Sequence, residues 1–191
     1  VVSTSTAMVV INTVVRVQGD LGRPQPDVAL LLGVYGAGSM LLALAMPKLL
    51  DTLPDRRVML TGGIALPILL LAAAGVIVWM TDTPQWIALL IVWLLLGAAT
   101  STILTPSARL LRRGSNEQTR PAVFAAQFSL SHACFLITYP LAGALGAAIG
   151  LPAVALALVA IGVLGAGFTA LTWRAAPRPT DVGPQPAQTQ A

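Results

Sequence analysis

The chain has 191 residues, of which 56% are hydrophobic and 9% charged, with a net charge of +4 and a mean hydropathy of +0.82. A water-facing domain carries about a quarter charged residues, so these proportions exclude an ordinary soluble fold. The basic balance follows from arginines gathered in a few loops and does not call for a nucleic-acid partner.

The eighteen charged residues fall into five clusters, at 16–27, 48–57, 82, 109–120 and 174–181. Uncharged stretches of 20, 24, 26 and 53 residues separate them, at 28–47, 58–81, 83–108 and 121–173. A bilayer core about 30 Å thick takes roughly 20 residues at 1.5 Å each. The first three stretches therefore suit one crossing each, and the fourth suits two. With a further span at the start, the expected fold class is all-α, an integral-membrane bundle of six helices.

Residues 1–18 form the first span, shorter and more polar than the others. At 100° per residue, Ser5, Asn12 and Arg16 fall within about 40° of one another, with Val9 on the same line. Polar groups facing lipid are costly, so this stripe is expected to face the bundle or a cavity. Asn12 is read as lining a pore, whereas Arg16, near the outer end, either lines it too or snorkels to water. The opening "VVSTSTAMVV" has neither a charged leader nor a cleavage site, so it is not a signal peptide. Residue 1 is expected to lie inside a longer protein.

The second span, 27–50, carries Gly33, Gly36 and Gly38, read as helix-packing positions. Five charged residues then follow within Lys48 to Arg57, expected to be a short loop that holds its flanking helices in register. The third span covers 58–80. Trp79 and Trp86 flank the next turn at Asp82, as interfacial anchors do. The fourth span, 86–108, repeats small residues at Gly97, Ser101 and Thr105.

The fifth span, 121–149, places Gln127, Ser131, Cys134 and Thr138 on one face and His132, Phe135 and Tyr139 on the next. His132 is the single histidine. It is either a functional ionisable group within the membrane or a neutral imidazole bonded to a neighbouring helix. Pro140 is expected to bend this helix. Gly143, Gly146 and Gly150 mark close contacts, and the break "GLP" at 150–152 opens the sixth span, 152–173. The tail from Arg174 is Pro-rich, lacks an apolar face and is expected to be disordered.

Six crossings put Lys48, Arg56, Arg57, Arg109, Arg112, Arg113, Arg120, Arg174 and Arg178 on one side, against Arg23, with Arg16 near it, on the other. Basic residues are retained in the cytoplasm, so both ends of this chain are expected there. A carboxylate at Asp51 and a guanidinium at Arg109, at the same ends of different helices, could meet in a partly desolvated place where the bond is stronger than in water.

Asp51, then Pro54, then Arg56 and Arg57, on a stretch entered through Pro47, resembles the short cytoplasmic signature of the major facilitator superfamily: Gly, three residues, Asp, a basic residue, one residue, Gly, one residue, two basics. Pro47 and Pro54 stand where that signature has glycines, and Thr52 replaces its first basic residue. Those departures match the weaker second copy of the motif, and residues 1–173 then resemble family helices seven to twelve. "TPSARLLRR" at 105–113 and "FAAQFSLSHACFLITYPLAG" at 124–143 are similar in style to bacterial efflux-type members.

The resemblance implies a secondary transporter of a small solute in the bacterial inner membrane, rocking against an N-terminal half of the same protein. Its substrate face would include Asn12, Arg16, Gln127, Ser131, His132 and Tyr139. Its gating motif would include Asp51, Arg56, Arg57 and Arg109, with Asp51 facing the N-terminus of a helix in the other half. Such a contact, formed only when the cytoplasmic side is closed, would latch one of two global states.

One His and one Cys cannot supply a protein-only zinc site of three or four ligands, and no cofactor is expected. Two other readings stand beside the transporter. One is a small membrane protein that dimerises to form its own pore. The other is an intramembrane hydrolase using Ser131 and His132, although these neighbours differ by about 100° around the helix, awkward for proton exchange.

Overall fold

The computed structural model describes residues 1–172; the tail expected to be disordered lies outside the described residues. Regular structure among the described residues is helical throughout. The first helix begins as Val2–Ala7 (α1) and continues through π-helical turns at Met8–Asn12 and Val15–Asp20. Five long helices follow: Gln25–Thr52 (α2), Asp55–Trp79 (α3), Asp82–Arg113 (α4), Arg120–Ile149 (α5) and Leu151–Thr172 (α6). All five are long and apolar enough to cross a membrane.

The helices overrun the apolar runs that mark them, because a charged side chain ends a hydrocarbon span without ending a helix. Residues 48–57 are therefore not a loop. Pro47 lies inside α2, which runs on to Thr52, and α3 begins at Asp55. The break is only Leu53 and Pro54, both extended, with φ/ψ of −116°/141° and −67°/141°. Proline fixes its own φ and pushes the residue before it out of the α region. At the other long junction Gly150, at φ 84°, turns α5 into α6 in a conformation that a side chain would strain.

α4 is the centre of one layer, packed between α2 and α3, and α6 packs on the far side of α3. The first helix sits against α3, α5 and α6, and α5 rests on the first helix and α6. One apolar core joins Met8 and Val9 of the first helix to Leu66 and Leu70 of α3, Leu89 and Trp93 of α4 and Leu158 of α6. The polar character of the first helix now has a reason. Thr4, Ser5, Asn12 and Thr13 are all buried, so these groups meet protein and not lipid.

Only some of the glycines expected at close contacts are there. A Cβ on Gly38 would collide with the Leu94 carbonyl, and one on Gly97 with the Tyr35 carbonyl, so α2 and α4 touch backbone to backbone. Ser39 and Ser101 share a hydrogen bond of 2.8 Å across the same seam. Gly33, Gly36 and Gly143, in contrast, have nothing within 4 Å of a built Cβ. Trp86 also departs from expectation. It is buried, with the Arg23 guanidinium 4.1 Å from its ring, because that cation covers the indole face. Trp79 alone is exposed as an interfacial anchor would be, at 84%.

Candidate functional site

The charged end of the bundle is organised by Asp55. It occupies the first turn of α3, where the helix dipole favours an anion. Arg113 donates to its Oδ2 at 3.0 Å, and the Arg109 Nε lies 3.8 Å from Oδ1. The two arginines are four residues apart on α4, hence on one face, and bracket the same carboxylate. The partner of Arg109 is thus Asp55 and not Asp51. Arg113 is exposed and Arg109 half-buried, so the Arg113 pair is worth only about 0–1 kcal/mol.

Asp51 points elsewhere. It lies in the last turn of α2, exposed, and makes no ion pair or hydrogen bond among the described residues. A carboxylate there opposes the negative end of its own helix dipole. Arg57 is also exposed, while Arg56 is half-buried with its Nε unpartnered. Arg109, Arg112, Arg113 and Arg120 line a cleft of about 500 Å³ at this end.

The stripe on the first helix turns inward. Asn12 is buried, donates from Nδ2 to the Met8 sulfur at 3.3 Å, and places Oδ1 against Gly146 of α5. Ser5 is buried with its hydroxyl unpartnered. Arg16 bonds Asp20 at 2.8 Å and donates to the Ile77 carbonyl at 3.4 Å, near the C-terminal end of α3, where a cation complements the dipole. Gln85 donates to the Val76 carbonyl at 3.1 Å beside it, so two side chains cap one helix end. Thr13 was not on the expected stripe, yet it accepts the Trp93 indole N–H at 2.9 Å with both residues buried. Each π turn holds about one residue more than an α turn, so positions counted at 100° drift in phase.

α5 carries the other set on an uncovered face. Gln127 donates to the Ser131 hydroxyl at 3.3 Å. One step around the helix, Phe128, His132, Phe135 and Tyr139 form a ladder, with ring centroids 3.8, 5.6 and 5.2 Å apart in order. The His132 Nδ1 lies 2.8 Å from the Phe128 carbonyl, which orients the imidazole and leaves Nε2 free to bond outward. Gln127, His132 and Cys134 are exposed, whereas Thr138 and Ala142 on the same helix are buried against the bundle. No hydrogen bond among the described residues joins this set to Asn12 or Arg16.

A family model for the Major Facilitator Superfamily matches residues 1–190. No curated protein and no solved structure matches the chain. With helices of membrane length over most of the described residues and this match across nearly its whole length, the chain belongs to the Major Facilitator Superfamily of membrane transporters.

Proposed function

We propose that this chain is the C-terminal six-helix half of a secondary transporter that moves a small solute across a bacterial inner membrane. The reading is carried by the face of α5. Its Gln127 and His132 are exposed and Ser131 is half-buried, whereas the outward faces of α3 and α6 carry only isolated hydroxyls such as Thr61 and Thr169. A polar face cannot be left to lipid without cost, so a first half, with a solute pathway between, covers it. Alternating access by rocking of two bundles puts the site at that seam. Tyr139, at the end of the aromatic ladder, contributes to the same wall. Asn12 and Arg16 hold the first helix behind it.

Asp51 supports the same arrangement. An exposed carboxylate at the wrong end of its own helix is suited to a partner outside this chain, such as a helix N-terminus of the other half. Asp51, with Arg56 and Arg57, then forms a latch on the closed cytoplasmic side, both ends of the chain lying in the cytoplasm. Arg109 works from behind through Asp55.

Cys134 is exposed on α5 and is the single cysteine of these 191 residues, so it reports on this face once any cysteine of the other half is replaced. In the two-half transporter in liposomes, a hydrophilic methanethiosulfonate reagent is expected to modify it, and saturating solute to slow the reaction. Failure of the reagent to react, with reaction of an apolar maleimide, would place the face in lipid and overturn the proposal. Uptake or efflux by liposomes containing only these 191 residues would overturn the half-transporter reading and favour a dimeric pore.

A further inference from the structure

Thr105, Ala108, Arg109 and Arg112 stand at i, i+3, i+4 and i+7 on α4 and so share one face, with Arg113 beside them. Together with Arg120, the first residue of α5, they line the cleft of about 500 Å³ at the arginine-rich end, which takes no residue from the first helix or from α6. The loop between the two helices is ordered by its own hydrogen bonds. The Gly114 N–H donates to the Leu110 carbonyl at 2.9 Å, and the Ser115 hydroxyl to the Leu111 carbonyl at 2.7 Å. Asn116 Oδ1 accepts both the N–H and the hydroxyl of Thr119 at 2.8 Å, and the Arg120 N–H donates back to the Asn116 carbonyl at 2.9 Å. α5 therefore starts at a fixed place beside the end of α4, and the guanidiniums are gathered before any ligand arrives.

Retention of basic residues on one side of a membrane accounts for their number, but not for four of them converging on one cleft from two helices. Asp55 is the carboxylate that Arg109 and Arg113 share, whereas Arg112 and Arg120 make no ion pair among the described residues. A second cleft of about 340 Å³ adjoins the first, sharing Arg112 and Arg120 and lined further by Glu117, Pro121 and Phe124. We propose that the first cleft binds the phosphate of a phosphate ester through Arg109, Arg112, Arg113 and Arg120, with the organic part of the ester in the second cleft against Pro121 and Phe124. A carboxylate offers one edge to one guanidinium fork, while a phosphate offers several oxygens and takes paired bonds from more than one arginine. Glu117 repels the anion from the rim and so moderates its affinity. The ester is a soluble phosphomonoester or the head group of an anionic phospholipid, and the recognition is the same for both. The site lies at the end of α5 and does not depend on which solute is carried.

The test is titration calorimetry in detergent, on the 191-residue chain and on the two-half transporter, with AMP, dihexanoyl phosphatidylglycerol and dihexanoyl phosphatidylcholine as probes. AMP or the phosphatidylglycerol is expected to bind one to one in both proteins, more weakly as salt rises, and the phosphatidylcholine, whose phosphate carries its own cation, far less. Tighter binding of the phosphatidylglycerol assigns the site to lipid, and tighter binding of AMP to a soluble ester; either upholds the proposal. Arg112 is exposed, so Arg112→Gln should weaken binding about tenfold at unchanged thermal stability. Glu117→Gln should strengthen binding, and Asn116→Ala, which alters no charge, should weaken it by loosening the loop. Lys48→Gln removes an equal charge from the same end of α2 and should leave the affinity unchanged. Absence of binding by both AMP and the phosphatidylglycerol would overturn the proposal. So would equal losses from Arg112→Gln and Lys48→Gln, or binding to the chain alone that the two-half transporter lacks.

Discussion

The indole N–H of Trp93 bonds the hydroxyl of Thr13 at 2.9 Å, with both side chains buried, and ties the first helix to the central helix α4. Removing one partner leaves the other unsatisfied in a dry place. Thr13→Val is expected to destabilise the chain by about 1–3 kcal/mol. Trp93→Phe should cost at least as much, because a large buried ring edge is also lost. In a double-mutant cycle followed by unfolding in detergent, the pair should cost less than the two single changes added together.

The Gly38–Gly97 seam gives a second expectation. Gly38→Ala or Gly97→Ala places a methyl group against a backbone carbonyl, and overpacking of this kind costs about 1–3 kcal/mol. Gly33→Ala, one helix turn from the seam with open space around it, should be neutral or stabilise by up to about 1 kcal/mol. Thermal unfolding of the three variants separates contact from composition.

Asp51 and Asp55 are four residues apart and are expected to behave differently. Asp55→Asn removes the anion that Arg109 and Arg113 share, and should lower stability by about 1 kcal/mol. That loss should shrink in high salt, since Arg113 is exposed. Asp51→Asn touches no partner in this chain and should change its stability by less than about 0.5 kcal/mol. Its effect should appear in solute flux through the two-half transporter. Equal loss of chain stability from both changes would contradict the pairing described.

Gly114 closes α4 at the arginine-rich end of the bundle, and Asp82 opens it at the other. In a Cys134→Ser background, cysteines at 114 and 82 should react with an impermeant maleimide from opposite sides of the membrane, with 114 on the cytoplasmic side. Labelling of both from one side would refute the six-crossing topology.

Much of the fold is legible from the placement of charge alone. Four uncharged runs became five helices, the longest dividing at Gly150, because hydrocarbon thickness sets a length that composition cannot disguise. The ends were less legible, since Lys48, Asp51, Arg109 and Arg112 are as content in a helix as in a loop. The shift from Asp51 to Asp55 is local in origin: Pro54 resets the chain, and the first residue after it begins a helix whose dipole favours a carboxylate. That signal, an acid directly following a proline, was present and outweighed by motif spacing. The pairing of Thr13 with Trp93 was hidden by π turns, which no periodicity counted at 100° anticipates. The polar and aromatic faces of α5 were read from spacing, and the structure adds that its own bundle leaves them uncovered.

The connector of Leu53 and Pro54 has a mechanical consequence. Two extended residues reach at most about 7 Å, too short for the adjoining ends of α2 and α3 to slide apart by two helical turns. The seam at Gly38 and Gly97 already couples α2 to α4, so tilting any one of the three drags the others. These helices form a stiff lever arm, and α5, which meets α4 at few points and rests mainly on the first helix and α6, is the element least tied to it.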